Sequence, residues 1–488
     1  MKQPVALARL APALILLAAA LTWWPVLDLG LYGWDTYPLI AAGRFDGAGE
    51  LLANLGEELM EGQFPGGRYW RPLVTLSFGI DHALWGTEAL GYRASDLAAL
   101  ALGALAVHAL ARRLVSSELG ALVAGVVYAA HPLSWELLPL PARRADLWCA
   151  LFTALAASAM VARPARDPLP GAPRCEPRPA RIALWCALAM AAKETGVLAL
   201  PLAAALGLFV HGARATARAL RPAAIAFLVY AALHTWIVGG LGGGERAALA
   251  AAATNLPAFA ERYAILLVYP VPWVAGLEPL RALVLVVILL AAAFGCLSRR
   301  GVEELPRSGP ARALAGVWLL LALLMTAASG VQRSWYAAAF LPAWALLQGA
   351  LAARAIHFLD PARVRWGSAA LVALAAVLLL ELGGQFTFDS LAEKRVSATA
   401  AADLIQRFEA AVEAAAPGSV LELDATPPPG AAVRHGEATE RPMTLPPYAL
   451  EAYAELHWPE RRVRCAIDGA ADAALREGDD VLVLLTAP

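Results

Sequence analysis

The sequence predicts a polytopic α-helical membrane protein with a small α/β domain at its C-terminal end, and three observations predict it. Hydrophobic residues make up 59% of the 488, charged residues only 16%, and the mean hydropathy is +0.58, a mixture suited to repeated membrane spans. Apolar runs recur through residues 1–384, many near the length of about 20 residues that a bilayer crossing takes. From residue 385 the pattern changes to shorter, mixed elements. The formal net charge of −1 gives no basic footprint for nucleic acid. Five cysteines without a CxxC pair argue against a zinc site or a disulfide framework, and Cys149, Cys186 and Cys296 sit in apolar runs as small core residues.

The first span is Val5 to Leu27, preceded by Lys2 and with Arg9 near its start. A secretory signal would begin the same way, but further spans follow, so this one reads as a retained helix. The large first outer loop, residues 33–86, comes next. Within it, acids at Glu50, Glu57, Glu58 and Glu61 alternate with leucines at helical spacing. A second segment starts at Pro72, favoured at a first helical position, and carries Leu73, Leu76, Ile80 and Leu84 on one stripe. Too short to cross and bounded by Trp70 and Trp85, it is expected to lie in the headgroup plane.

Further spans are expected at about 93–111, 119–131, 145–162, 181–192, 196–211, 222–238, 281–297, 312–329, 336–353 and 366–383. With the first, that makes roughly 11. The stretch from Thr254 to Trp273 is broken by Pro257, Pro270 and Pro272 and reads as interfacial. In the tail, 392–415 is helix-like and Val420 to Leu423, Val463 to Ile467 and Val481 to Leu485 are strand-like, with a breaker at Pro427 to Gly430. The domains are therefore 1–384, transmembrane, and 385–488, a small α/β unit.

Arginines concentrate in alternate loops: Arg112 and Arg113, Arg163 to Arg181, Arg214 to Arg221, Arg299 to Arg307, and Arg354 to Arg365. The positive-inside rule then puts the N-terminus in the cytoplasm and the tail outside. Against that topology the outer basic residues stand out: Arg71, Arg93, Arg143, Arg144, Lys193 and Arg333. Charges at helix ends in a membrane are costly and are paired or functional. Facing one another, they would form an anion pocket at the outer surface, suited to a lipid phosphate.

These residues carry a resemblance. Trp34-Asp35 after the first helix, Tyr69-Trp70-Arg71-Pro72-Leu73 with Ser77 to Gly86, His131-Pro132 with Glu136 and Arg144-Ala145-Asp146, Lys193-Glu194-Thr195-Gly196 with Pro201, and Gln332-Arg333 with Tyr336 resemble the ordered motifs of GT-C membrane glycosyltransferases. They are most similar to the membrane half of the protein O-mannosyltransferase-like group whose other members carry tetratricopeptide repeats. The resemblance covers about residues 1–360. The chain departs from the family pattern in having Thr36 after Asp35 where two acids often stand, Arg93 and Asp96 where histidine and asparagine are usual, and Gln332-Arg333-Ser334 for Glu-Arg-Tyr. The repeats are missing.

The resemblance implies a GT-C-like fold and transfer of a sugar from a polyprenyl-phosphate donor to a hydroxyl on the outer face of a bacterial inner membrane. Asp35 would be the general base, and Arg71, Arg144, Lys193 and Arg333 would bind the donor phosphate. Tyr37, Tyr69, Trp70, Glu136, Asp146, Glu194 and Tyr336 would support or bind substrate. The acceptor, whether glycan, lipid or protein, is not specified. A lone Asp35 is a poor metal site, so none is assigned, although some relatives use a divalent ion.

Bland readings stand beside these. Asp35 could be a solvated cap of the first helix, Arg143 a headgroup arginine, Arg144 a structural partner of an acid such as Asp146, and Lys193 a partner of adjacent Glu194. Glu136 could be an arginine's structural partner, His131 a helix-end residue, and Tyr69, Trp70 and Trp85 interfacial anchors. Two other functions stay open: a lipid or small-solute transporter or flippase, although no internally repeated halves are found, and a catalytically inactive relative.

Overall fold

The computed structural model describes residues 5–62, 68–115, 117–161, 176–240, 249–268, 309–330, 333–358, 392, 394–426, 445–470, 474–476 and 478–486. Its first part is helical: α1 (Val5–Trp23), α2 (Thr36–Gly43), α3 (Ala48–Leu55), α4 (Pro72–Trp85), α5 (Ala89–Leu114), α6 (Glu118–Ala130), α7 (Arg144–Met160), α8 (Pro179–Ala192), α9 (Ala199–His211), α10 (Ala213–Val238), α11 (Leu249–Val268), α12 (Gly309–Ser329) and α13 (Leu341–Phe358). Five helices among the described residues are long and apolar enough to cross a membrane: Ala8–Asp28, Ala89–Leu114, Glu194–His211, Ala213–Val238 and Gly309–Ser329. The architecture is that of a polytopic helical membrane protein. Of the other expected spans, 119–131 and 181–192 correspond to helices of 13 and 14 residues. The runs at 281–297 and 366–383 lie outside the described residues, as do Cys296 and the breaker at 427–430.

The bundle core runs through α5, which packs on α6 and α7, while α7 packs on α8 and α9, and α8 on α10. Small residues set the closest crossings, as they do wherever lipid removes the hydrophobic drive between helices. Gly120 of α6 faces Gly349 of α13: a Cβ on Gly120 would stand 2.6 Å from the Gly349 carbonyl oxygen, and one on Gly349 would stand 2.5 Å from that of Gly120. Backbone cannot yield as a side chain can. Gly120→Leu is therefore expected to destabilise by about 1–3 kcal/mol, the usual cost of overpacking, read as a lowered melting temperature in detergent. The α5–α6 turn is held by Ser117, whose hydroxyl accepts from the Gly120 amide at 3.1 Å, and by a two-pronged Arg112–Glu118 pair at 2.8 and 3.0 Å.

The stretch read as an interfacial helix is α4, with the expected start at Pro72 and end at Trp85. Val74, Thr75, Phe78, Gly79 and Asp81 are buried, while Ile80, Leu84 and Trp85 are exposed. The second half of its apolar stripe, Ile80 and Leu84, is thus left uncovered by protein, while Leu73 and Leu76 are half-buried. Trp70 does not behave as an exposed anchor: it is 8% exposed, its indole N–H donates to the Leu55 carbonyl at 2.9 Å, and its ring stacks on Tyr230 at 5.6 Å. From Thr254 to Val268 the stretch is part of one continuous helix, α11, with Pro257 inside it; Pro270 and Pro272 lie outside the described residues.

In the tail, a helix at 394–414 (α14) precedes β1 (Ser419–Asp424), followed by α15 (Pro447–His457), β2 (Val463–Ile467) and β3 (Val481–Thr486). The strands are parallel in the order β1-β3-β2, with Val481 opposite both Ser419 and Val463. Central β3 reads Val-Leu-Val-Leu-Leu, continuous where a half-exposed strand would alternate, because both its faces are covered. Its Val481, Leu482, Val483 and Leu485 are at most 1% exposed. Arg461 donates to the carbonyls of Val412 and Ala415 at 2.7 and 3.0 Å, satisfying acceptors at the end of α14 that the helix leaves open. The tail docks on the 33–86 stretch through α15, which packs on α2.

Candidate active site

The chain gathers its charged residues at helix breaks, where short 3-10 turns interrupt the bundle. Such breaks leave backbone polar groups without helical partners, and here they carry the polar chemistry. The first break follows Gly33, whose φ of 97° suits glycine. Asp35 then takes the position before α2, yet its side chain makes no capping hydrogen bond. The carboxylate is used elsewhere: the Tyr448 hydroxyl, on α15 of the tail, donates to its Oδ1 at 3.1 Å.

Arg71, just before α4, makes a two-pronged pair with Glu194: Nε to Oε1 at 3.0 Å and Nη2 to Oε2 at 2.8 Å. Its guanidinium lies 4.7 Å from the centre of the Tyr69 ring. Lys193 pairs with Asp146 at 2.6 Å, both nearly buried, and its ammonium stands 5.3 Å from the centre of the Tyr336 ring. Adjacent Lys193 and Glu194 are thus not partners. Lys193 is extended, with φ −160° and ψ 150°, and an extended residue sends neighbouring side chains in different directions.

Helix geometry likewise separates Arg144 from Asp146, since residues two apart on a helix do not face each other. Asp146 turns to Lys193. Arg144, 2% exposed, turns to the other side, where Nε meets Asp96 Oδ1 at 2.7 Å, Nη1 meets Asp81 Oδ2 at 2.7 Å and Nη2 donates to the Tyr92 carbonyl at 3.3 Å. Phe78 lies 4.4 Å beneath the guanidinium. Placed by the motif reading in the phosphate-binding set, Arg144 has all three nitrogens committed in a buried network away from Asp35. Arg93 belongs to that network, within electrostatic reach of Asp96, and donates to the Gly30 carbonyl at 2.7 Å and the Leu138 carbonyl at 3.2 Å.

Arg143 comes forward in its place. Its guanidinium lies 3.8 Å from the centre of the Trp335 ring, its Nε has no hydrogen-bond partner, and it acts electrostatically on Asp35 and Asp146. Arg333 approaches the same indole at 5.7 Å. Planar guanidinium groups stack well on indole, which holds them without neutralising them. Burial raises the Asp35 carboxyl above its ordinary value of 3.8, against the lowering pull of Arg143, of the Tyr448 hydroxyl and of Arg71.

Of the expected site residues, Asp35, Arg71, Asp146, Lys193, Glu194 and Tyr336 are brought into one cluster with Arg333 at its edge, and Tyr69 packs on Arg71. Tyr37 packs instead against the tail, edge-on to Tyr453 at 5.1 Å. Glu136 is half-buried and makes no hydrogen bond or ion pair among the described residues. His131 is a helix-end residue: its Nδ1 accepts from the Leu133 amide at 3.1 Å, leaving Nε2–H to donate to the Leu267 carbonyl at 3.1 Å. The sequence places Arg143 among the outer basic residues but reads it as a headgroup arginine, and it gives Trp335 and Tyr448 no part in the site. A tyrosine more than 400 positions from its partner leaves no local signal.

Among the described residues no group of three or more His, Cys, Asp or Glu could hold a metal ion.

No protein-family model matches the chain. The Drosophila melanogaster protein O-mannosyl-transferase Tmtc1 is 33% identical over 127 residues, which make up 25% of this chain and 14% of that protein. Only a small part of that relative's length is therefore matched. The relative's name is that of the O-mannosyltransferase-like group that the ordered motifs resemble. Among solved structures, the chain is similar to ArnT from Cupriavidus metallidurans bound to undecaprenyl phosphate, with a TM-score of 0.47 and 15% identity over 92% of this chain and 88% of that one. It is also similar to the Archaeoglobus fulgidus oligosaccharyltransferase tethered with an acceptor peptide, with a TM-score of 0.43 and 13% identity over 78% of this chain and 55% of that one.

Proposed function

We propose that the protein transfers a sugar from a polyprenyl-phosphate donor to a hydroxyl acceptor at the outer surface of a bacterial inner membrane, with Asp35 as the general base. The observation that carries this reading is the cluster itself: one carboxylate, accepting a hydroxyl hydrogen bond, under the influence of Arg143 and Arg71. An acceptor hydroxyl is a weak nucleophile near neutral pH, and a carboxylate within hydrogen-bond reach takes its proton as attack on the anomeric carbon proceeds. The bond from that carbon to the phosphate oxygen breaks, and negative charge builds on the departing lipid phosphate. Fixed cations in a site with little water stabilise such charge best, with arginine suited to two-point contact.

The cation set proposed is Arg71, Lys193, Arg333 and Arg143. Glu194 and Asp146 hold Arg71 and Lys193 in place, and Tyr69 and Tyr336 line them. One base acting on one hydroxyl matches single displacement with inversion; a double displacement needs a second carboxylate as nucleophile, and Asp146 and Glu194 are both engaged by cations.

The test is turnover of a panel of polyprenyl-phosphate hexoses and pentoses to free polyprenyl phosphate, in the presence of membrane extract as acceptor source, by wild type and Asp35→Asn. Turnover by wild type that the variant lacks supports both the activity and the base. Failure of well-folded wild type to bind or turn over any donor sinks the reading.

The pH dependence adds a second check. Asp35 acts only when ionised, so the rate at saturating donor should fall as pH drops through its pKa and level off above it. Burial raises the carboxyl, so the midpoint of that limb should lie above 3.8. Arg143 lowers the Asp35 pKa, so Arg143→Gln should move the midpoint to still higher pH. An unmoved midpoint would remove Arg143 from electrostatic contact with the base.

A further inference from the structure

The tail brings a hydroxyl to the one place where the proposed reaction needs one. Tyr448 Oη donates to Asp35 Oδ1 at 3.1 Å, inside the range of about 2.6–3.2 Å that a base requires of the hydroxyl it deprotonates. The contact is built, because the helix that carries Tyr448 is fixed on both sides. Five residues along the same helix, Tyr453 packs edge-on against Tyr37 at 5.1 Å, two positions from Asp35, and donates to Glu409 Oε1 at 2.5 Å. Arg44, just past the end of α2, donates to the Glu455 carbonyl at 3.5 Å. Leu445, Pro446, Ala449 and Leu450 around Tyr448 are buried. The phenol is therefore held against the carboxylate by the tail's own core.

We propose that Tyr448 is a built-in stand-in for the acceptor hydroxyl, occupying its position beside Asp35 until the acceptor displaces it and thereby keeping water from attacking the donor. The proposal rests on the glycosyl-transfer reading and adds a specificity-determining residue to it. A base that activates a sugar-accepting hydroxyl activates water equally well. With water in the acceptor position, its oxygen bonds to the anomeric carbon, the bond from that carbon to the phosphate oxygen breaks, Asp35 takes the proton and the lipid phosphate leaves with the electron pair. The donor is then spent without transfer. A phenol in the same position denies water the carboxylate. The tail domain thus sets what reaches the base, a role that its distance in sequence from the membrane part conceals.

The experiment measures free sugar released from polyprenyl-phosphate hexoses and pentoses with no acceptor present. Wild type, Tyr448→Ala, Tyr448→Phe and Tyr448→Ala combined with Asp35→Asn are compared. Tyr448→Ala opens room for water beside Asp35 and should raise release by about tenfold or more, a modest fraction of what a positioned base can supply. Tyr448→Phe should give a smaller rise in the same direction, and keeps the test alive if the alanine variant folds poorly. The double variant should release no more than wild type. A purely structural Tyr448 would leave release unchanged, and one that only aims Asp35 would lower it; either result overturns the proposal. So would sugar found attached to Tyr448 by peptide mass analysis, which would make the phenol itself an acceptor. Donor-induced thermal stabilisation is measured alongside. If no variant is stabilised and no sugar is released, the glycosyl-transfer reading falls and the proposal with it. Stabilisation without a rise in the Tyr448 variants overturns the proposal alone.

Discussion

Asp35→Asn should lower sugar transfer by about a hundred- to ten-thousand-fold, the range a positioned general base supplies, while the protein melts no lower than wild type. The two halves of this expectation come from different observations. Asparagine keeps an oxygen where Oδ1 stands, so the Tyr448 hydroxyl retains an acceptor and the tail stays docked on α2. What disappears is the capacity to take a proton. Stability should be preserved for a further reason. The Asp35 carboxyl is raised above its ordinary value by burial, so above that pKa the fold bears a cost for keeping the group ionised, and the cost fades as pH falls and the group protonates. A neutral amide removes that cost at every pH. The melting temperature at neutral pH should therefore stay level or rise. Transfer at wild-type rate by the variant would eliminate Asp35 as base, and a collapsed melt would show the carboxylate to be structural.

The sequence made much of this legible, for reasons that can be traced to particular residues. The three tail strands were visible because β-branched and leucine runs between turn residues have few other uses, and α4 was visible from Pro72 and the period of its leucines. Arg71, Lys193 and Arg333 were identifiable as candidates because a charge at a helix end in a membrane needs a reason, whereas Asp35 stood out only through the resemblance carried by Trp34-Asp35. Their pairing was not legible. Adjacency suggested Lys193 with Glu194 and Arg144 with Asp146, but backbone direction at each break sends the neighbours apart, and partners come from other helices. Arg143 and Arg144 differ by one position and by about 100° around a helix, enough to put one beside Asp35 and the other in a buried network. The departures at Arg93 and Asp96 find a common explanation there, since a second acid beside Arg144 calls for a second cation.

That network sets the last expectation. Arg144→Leu should cost about 3–5 kcal/mol of stability, the usual price of stranding a buried charge, and should act through folding before it acts on donor binding. Arg144, Arg93, Asp81 and Asp96 make a balanced set of two cations and two anions among buried groups. Removing Arg144 leaves two carboxylates to one arginine. Ser95 still donates to Asp81 Oδ1 at 2.8 Å, which satisfies one oxygen and neutralises nothing. The second variant follows from the same count: Arg144→Leu with Asp81→Asn restores one cation to one anion, Arg93 to Asp96, and should regain part of the lost melting temperature. Had Arg144 been a phosphate ligand, its loss would weaken donor binding in a well-folded protein and Asp81→Asn would rescue nothing. Melting curves of the two variants, read beside donor-induced stabilisation, separate these outcomes. The commitment of Arg144 to the bundle is also what leaves the neighbourhood of Asp35 to Arg143, because the same turn before α7 that buries one guanidinium brings the other onto Trp335 and within electrostatic reach of Asp35.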